Sequence, residues 1–69
     1  MRNFALYDPS SGQYVSYVAF NRKTKQYDIE FTHNLHSIRF WKMKSSAEGR
    51  AQRIFDWNRN LALEVREIR

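Results

Sequence analysis

The segment that decides the fold is Ser45 to Arg69, which reads SSAEGRAQRIFDWNRNLALEVREIR. Its opening matches the capping box, in which the Ser45 oxygen accepts from the backbone N–H three residues on and Glu48 bonds back to the Ser45 amide. We therefore expect a helix to begin at Ser45. The apolar positions follow the spacing of one helical face and are Ala47, Ala51, Ile54 and Phe55.

A strand is expected to follow this helix, which Asn58 or Asn60 can end by taking a left-handed conformation. Apolar and other residues then alternate with the period of a strand: Leu61, Leu63 and Val65 alternate with Ala62, Glu64 and Arg66. The outer face of this strand is charged, which is typical of edges that resist pairing with other chains.

The first half of the chain predicts an aromatic β-meander. A strand over Asn3 to Tyr7 stops at the turn formers Asp8 to Gly12, and a strand rich in Tyr and Val returns over Gln13 to Phe20. A second, cationic turn covers Asn21 to Lys25. It leads into Gln26 to Thr32, whose strict alternation predicts a strand with one wet face.

The stretch between Thr32 and Lys44 is less decisive. Thr32 can cap a single helical turn over His33 to His36, and Ile38 to Met43 fits either a short fourth strand or an apolar plug. We expect one compact domain over residues 1–69. Its class is α+β, with a small antiparallel sheet of three to four strands, one amphipathic helix packed on one face, and the order ββ(β)αβ.

Size and composition narrow the function. A chain of 69 residues buries only about 60% of its unfolded surface, although eleven aromatic residues supply a heavy apolar load. The net charge of +5 favours acidic partners. Cysteine is absent, and no signal peptide or membrane span is recognisable, so a cytoplasmic location without membrane contact is expected.

Catalysis is not expected. His33 and His36 have the spacing to meet on a helical turn, but as metal ligands they need two further donors, with Asp28 or Glu30 the nearest choices. We favour the interpretation that these two histidines are polar residues of an exposed loop. The serines fall in turns and caps, and the carboxylates lie on a wet face. We therefore predict no enzyme activity, no cofactor and no bound metal.

Our first functional hypothesis is a protein-binding module that docks on an acidic protein of a host cell or phage. Aromatic and arginine side chains are enriched in interface cores, and the contact residues predicted on that basis are Tyr17, Arg39, Trp41, Arg50, Arg53 and Trp57. The competing interpretation is structural: the two indoles complete a small core, and the arginines are solvated.

Two further hypotheses come from other classes. A basic stripe binding RNA or single-stranded DNA would use Arg22, Lys23, Lys25, Lys42, Lys44, Arg50 and Arg53, with Tyr7 and Tyr17 as stacking platforms. This stripe exists only if the cationic turn and the helix lie at the same end of the sheet. In the third hypothesis the chain self-associates as a homo-oligomer, because C-terminal strand edges can pair between copies.

Several short motifs are spaced along most of the chain: Gly12-Gln13-Tyr14, Phe31-Thr32, Ile38-Arg39-Phe40 and Ser45-Ser46-Ala47. In this layout the chain resembles small uncharacterised proteins encoded by bacteriophages and prophages. The resemblance implies an accessory protein that binds a host macromolecule in a bacterial cytoplasm, and it assigns no catalytic residues. Acidic DNA mimics are common among such proteins, and this basic chain departs from that pattern.

Overall fold

A computed structural model describes residues 3–68. Its elements are β1 (Asn3–Asp8), β2 (Gln13–Asn21), β3 (Gln26–Thr32), a 3-10 helix (Leu35–Ser37), α1 (Lys44–Trp57) and β4 (Glu64–Ile68). The strands form one antiparallel sheet in the order β3-β2-β1-β4, and α1 packs against it. The predicted α+β class, with the helix before the last strand, is confirmed.

The turn between β1 and β2 is organised by the buried carboxylate of Asp8. Its Oδ1 accepts from the Ser10 N–H at 3.1 Å and from the Ser10 hydroxyl at 2.7 Å, and its Oδ2 accepts from the Ser11 hydroxyl at 2.9 Å. Gly12 closes the turn at φ 73°. Burial alone would raise the pKa of Asp8, but the bonds from Ser10 and Ser11 outweigh it and lower the pKa below 3.8.

A β-bulge in β2 sets which side chains face the helix. The pairing of β2 with β3 shifts between Val15 and Tyr17, so Ser16 is an extra residue on β2. Beyond the bulge Val18 lies opposite Ile29, and both pack against the core. Because neighbouring residues alternate between faces, Tyr17 projects from the face that the helix does not cover.

The core lies between the sheet and α1. Its fully or nearly buried cluster consists of Leu6, Val15, Ala47, Ala51 and Ile54, and a rim of half-buried aromatic and aliphatic side chains surrounds it. Three of the four residues of the predicted helical stripe are thus buried, while Phe55 is half-buried.

The segment between the 3-10 helix and α1 is built into the sheet. Ile38 is buried. The Arg39 N–H donates to the Val15 carbonyl at 2.9 Å, and Trp41 and Phe4 exchange two backbone hydrogen bonds of 2.8 Å. The segment therefore bonds to both β2 and β1, and of the two predicted alternatives it is nearer to a short extended strand, reduced to one isolated bridge.

The predicted N-cap of the helix is wrong by two residues. α1 begins at Lys44, and its N-cap is Met43, which makes no side-chain capping bond. Ser45 therefore lies inside the first turn, where its backbone is already helical and its hydroxyl cannot serve as the cap. The capping box of Ser45 and Glu48 is not formed.

The helix ends at Asn58, one of the two residues predicted to end it, but the predicted left-handed conformation is wrong. Asn58 is the C-cap with an extended backbone at φ −142°. Among the non-glycine residues that the structure describes, only Lys25 has a positive φ, so neither Asn58 nor Asn60 is left-handed. Instead the Asn58 Oδ1 accepts from the Asn60 N–H, and the Asn58 carbonyl accepts from the Leu61 N–H, both at 3.0 Å.

The last strand also starts later than the predicted Leu61. Since Leu61 is bonded within the turn after α1, β4 begins only at Glu64.

The cap of the short helical turn is likewise displaced. Asn34, rather than Thr32, accepts from the His36 N–H at 3.0 Å, and the turn covers Leu35–Ser37.

Candidate binding surface

Three aromatic rings form a row where the β2–β3 hairpin meets the end of α1. The ring centroids of Phe20 and Tyr27 are 4.8 Å apart, and those of Tyr27 and Trp57 are 5.4 Å apart. Phe20 and Tyr27 are directly opposed across the two strands. Phe20 is 44% exposed and Trp57 is 39% exposed, so the row completes the core on one side and meets water on the other.

The turn that joins β2 to β3 places three exposed cations beside these rings. Arg22, Lys23 and Lys25 lie between Phe20 and Tyr27 in the chain. The turn is held by the Asn21 side chain, whose Oδ1 accepts from the Lys23 N–H at 2.9 Å. The charge is therefore presented from an ordered turn, immediately next to the first two rings of the row.

The helix adds a further cation from the other side. Arg53 is exposed and lies four residues before Trp57, so the two side chains share one flank of α1. Because Trp57 contacts Tyr27, this flank faces β3. We call the combined set the Trp57 surface, which consists of Phe20, Arg22, Lys23, Lys25, Tyr27, Arg53 and Trp57.

Acidic charge on the helix is turned away from this surface. Asp56 directly follows Phe55 and precedes Trp57, but it accepts from the Gln52 side-chain amide at 3.0 Å. Gln52 lines a groove on the opposite flank of α1, against residues 62–65. The flank that carries Trp57 and Arg53 therefore keeps its positive character.

The structure distributes the six residues predicted to bind protein over three places. Arg50, Arg53 and Trp57 share the β3-facing flank of α1. The Arg39 guanidinium carbon lies 5.3 Å from the centroid of Trp41, whose half-buried ring packs against the core. Tyr17 is 49% exposed on the opposite face of the sheet. A protein contact through any of these residues stays a prediction.

The residues predicted for nucleic-acid binding are divided in a similar way. The turn cations and Arg53 come together, and Arg50 lies one turn further along the same flank, half-buried. Lys44 is at the other end of α1, where it lines a depression with Phe4 and Val65. From Lys44 to Trp57 the helix is about 20 Å long, so Lys42 and Lys44 lie apart from the Trp57 surface.

Tyr7, one of the two predicted stacking platforms, already has ring partners. The Arg66 guanidinium carbon lies 3.7 Å from its ring centroid, and the Tyr14 ring centroid lies 5.0 Å away. Desolvation would lower the pKa of Arg66, but bonds to Glu64 and Tyr14 outweigh it and raise the pKa above its ordinary value. This face of Tyr7 is therefore occupied by a permanent cation.

Sequence reasoning missed Phe20 and Tyr27 as surface residues. The sequence predicts Phe20 as the last residue of one strand and Tyr27 as the second residue of the next. The available signal was their position on either side of a cationic turn, because the residues that flank a hairpin turn oppose each other and are the least covered part of a sheet.

The two histidines lie in the exposed connection around the 3-10 helix. Within residues 3–68, no group of three or more His, Cys, Asp or Glu side chains is placed to hold a metal ion. Nor does the described part of the chain contain a helix with the length and apolar character needed to cross a bilayer.

Comparison with known proteins finds no family model, curated protein or solved structure that matches this chain.

Proposed function

We propose that this chain is a non-enzymatic binding module that holds single-stranded nucleic acid on the Trp57 surface. The observation that supports this most is the contact between Tyr27 and Trp57 at 5.4 Å. It brings the end of the helix to the cationic turn, which is the condition for a joint basic surface. Unpaired bases stack on exposed rings, and their phosphates pair with the adjacent cations.

The binding should depend strongly on salt. Four cations, Arg22, Lys23, Lys25 and Arg53, border the rings. On a single strand each neutralised phosphate contributes about −0.7 to the slope of log K against log salt, so four contacts give about −3. Affinity should therefore fall by roughly 50-fold between about 50 and 200 mM salt.

Fluorescence anisotropy with labelled mixed-sequence RNA and DNA oligonucleotides tests the proposal. The double variant Arg22→Ala/Lys23→Ala should bind less tightly and should reduce the salt slope by about 1.4. The double variant Lys42→Ala/Lys44→Ala removes two exposed cations away from the surface and is the matched control, with no change expected. Absence of binding at low salt, or equal losses in both variants, would refute the proposal.

A second candidate function is a protein-binding module, in keeping with a phage accessory protein. The Arg39 guanidinium carbon lies 5.3 Å from the Trp41 ring centroid in a cation–π arrangement, and both Arg and Trp are enriched in binding hot spots. The partner would be an acidic protein surface. Capture of one defined protein by the wild type, lost in Arg39→Ala at unchanged thermal stability, would favour this candidate over nucleic acid.

A further inference from the structure

β4 forms one outer edge of the sheet. Within residues 3–68 it pairs with β1 alone, since the strand order is β3-β2-β1-β4. The register sets Leu6 opposite Val65 and Ala5 opposite Arg66. The side chain of Val65 lies on the helix side with the core. Alternation then puts Glu64 and Arg66 on the opposite face.

The backbone hydrogen bonds of β1 determine which way the N–H and carbonyl of Val65 point. Phe4 uses both its N–H and its carbonyl to bond Trp41, on the side of β1 away from β4. Leu6 has the same phase as Phe4, so Leu6 and Val65 are a non-hydrogen-bonded pair. The N–H and carbonyl of Val65 therefore point outward from the sheet, where a further strand can bond to them.

The charge pattern of β4 is complementary to that of a second, antiparallel copy of the same strand. Glu64 and Arg66 are two residues apart on one face, and they already form a 3.3 Å ion pair within the strand. A twofold axis perpendicular to the sheet at Val65 brings Val65 opposite its own copy. It also places Glu64 of each copy opposite Arg66 of the other. Both of these pairs occupy the close non-hydrogen-bonded positions.

Neighbouring registers are electrostatically unfavourable. Residues of β4 whose backbone N–H and carbonyl point outward must face residues of the same kind in the second copy. The register therefore shifts by two residues at a time, and each shift moves the twofold axis by one residue. An axis at Glu64 opposes two carboxylates, and an axis at Arg66 opposes two guanidinium groups. Like charges directly opposite are destabilising, so the axis at Val65 is the register that the charges of β4 select.

The other edge of the sheet lacks this property. On the uncovered face β3 carries Asp28 and Glu30, which lie opposite Ala19 and Tyr17 of β2. An antiparallel pairing of β3 with its own copy about Asp28, Ile29 or Glu30 opposes carboxylate to carboxylate. Self-pairing is therefore favoured at β4 and disfavoured at β3.

We propose that the chain forms a twofold homodimer in which the β4 edges pair antiparallel about Val65, giving one continuous eight-stranded sheet. The second copy would also cover the groove beside β4, which Ala51, Phe55, Leu63 and Val65 line together with polar residues of α1. The Trp57 surface lies towards β3, at the other side of the sheet, and stays uncovered in this arrangement.

Sedimentation over a range of protein concentrations tests the dimer. The mass should rise from that of one 8.4 kDa chain towards twice that value and stop there. Glu64→Arg and Arg66→Glu each place like charges opposite one another, so each variant should dimerise at least about tenfold more weakly. Glu30→Gln, which removes one charge at the other sheet edge without creating an opposite-charge pair with Asp28, should leave dimerisation unchanged.

Mixing the two edge variants separates the intermolecular pairs from the ion pair within each strand. Glu64→Arg chains carry only cations at these positions, and Arg66→Glu chains carry only carboxylates. An equimolar mixture should form the heterodimer at close to wild-type affinity, although neither variant pairs well with itself. A wild type that stays monomeric, growth beyond the dimer, or no recovery on mixing of variants whose melting curves show them folded would overturn the proposal.

Discussion

The Trp57 indole meets the Tyr27 ring edge-on, with 5.4 Å between the centroids, and this contact joins α1 to the outermost part of β3. Trp57→Ala should lower the free energy of unfolding by about 2 kcal/mol, less than a fully buried Trp because 39% of the residue is exposed. A double-mutant cycle with Tyr27→Ala should give a coupling of about 1 kcal/mol in chemical denaturation.

Tyr17→Ala is the matched control for that variant. Tyr17 is 49% exposed and projects from the uncovered face of the sheet, so its removal should cost less than that of Trp57, about 1 kcal/mol. Equal losses for Tyr17→Ala and Trp57→Ala would mean that the ring contact at the end of α1 contributes no specific stability.

The two glycines should respond to alanine in opposite directions. Gly49 lies in α1, and a Cβ built there meets nothing within 4 Å, so Gly49→Ala should stabilise the protein by up to about 1 kcal/mol. Gly12 has φ 73°, where an L side chain costs roughly 1–2 kcal/mol. Thermal melting of the two variants should show shifts of opposite sign, and two shifts of the same sign would contradict this.

The hairpin turn at Asp8 should make stability depend on acid pH. The folded pKa of Asp8 is lowered, so its contribution is present above the ordinary value of about 3.9 and is lost as the pH falls through the folded pKa. Asp8→Asn should therefore be destabilised at neutral pH by about 1–3 kcal/mol. The gap to wild type should shrink as the pH falls below about 4.

Ser10→Ala is the graded control for the Asp8 variant. It removes the 2.7 Å hydroxyl bond to Asp8 but leaves the carboxylate and its bond from Ser11 in place. Denaturation curves at several pH values should place it between wild type and Asp8→Asn. A constant gap between Asp8→Asn and wild type at all pH values would mean that the carboxylate charge does not stabilise the turn.

The strands were predictable because local signals agreed with the tertiary structure. The alternation over Gln26 to Thr32 predicted β3 with its observed bounds, and the turn formers from Asp8 to Gly12 form the first hairpin. The inner face of α1 was predictable for the same reason, since Ala47, Ala51 and Ile54 are buried. In these elements, side-chain period and burial carry the same information.

The element ends and the candidate surface were less predictable because they depend on pairing between distant residues. The bond of Trp41 to Phe4 fixes the chain just before α1, so the helix starts at Lys44 despite the box-like sequence at Ser45. The nearness of Trp57 to the cationic turn follows from how α1 lies across the sheet, and no local pattern in the sequence encodes that placement.

Two substitutions at the start of α1 test whether Met43 or Ser45 is the N-cap. Met43 is the N-cap, is 62% exposed and makes no side-chain capping bond. Met43→Asp should supply the missing acceptor and a favourable charge at the helix start, and so raise the free energy of unfolding by about 1 kcal/mol. Ser45→Ala should be neutral or slightly stabilising, because Ser45 lies within the first turn and alanine has the higher helix propensity. Chemical denaturation of both variants decides the matter: a loss of about 1 kcal/mol in Ser45→Ala, with no gain in Met43→Asp, would restore Ser45 as the cap.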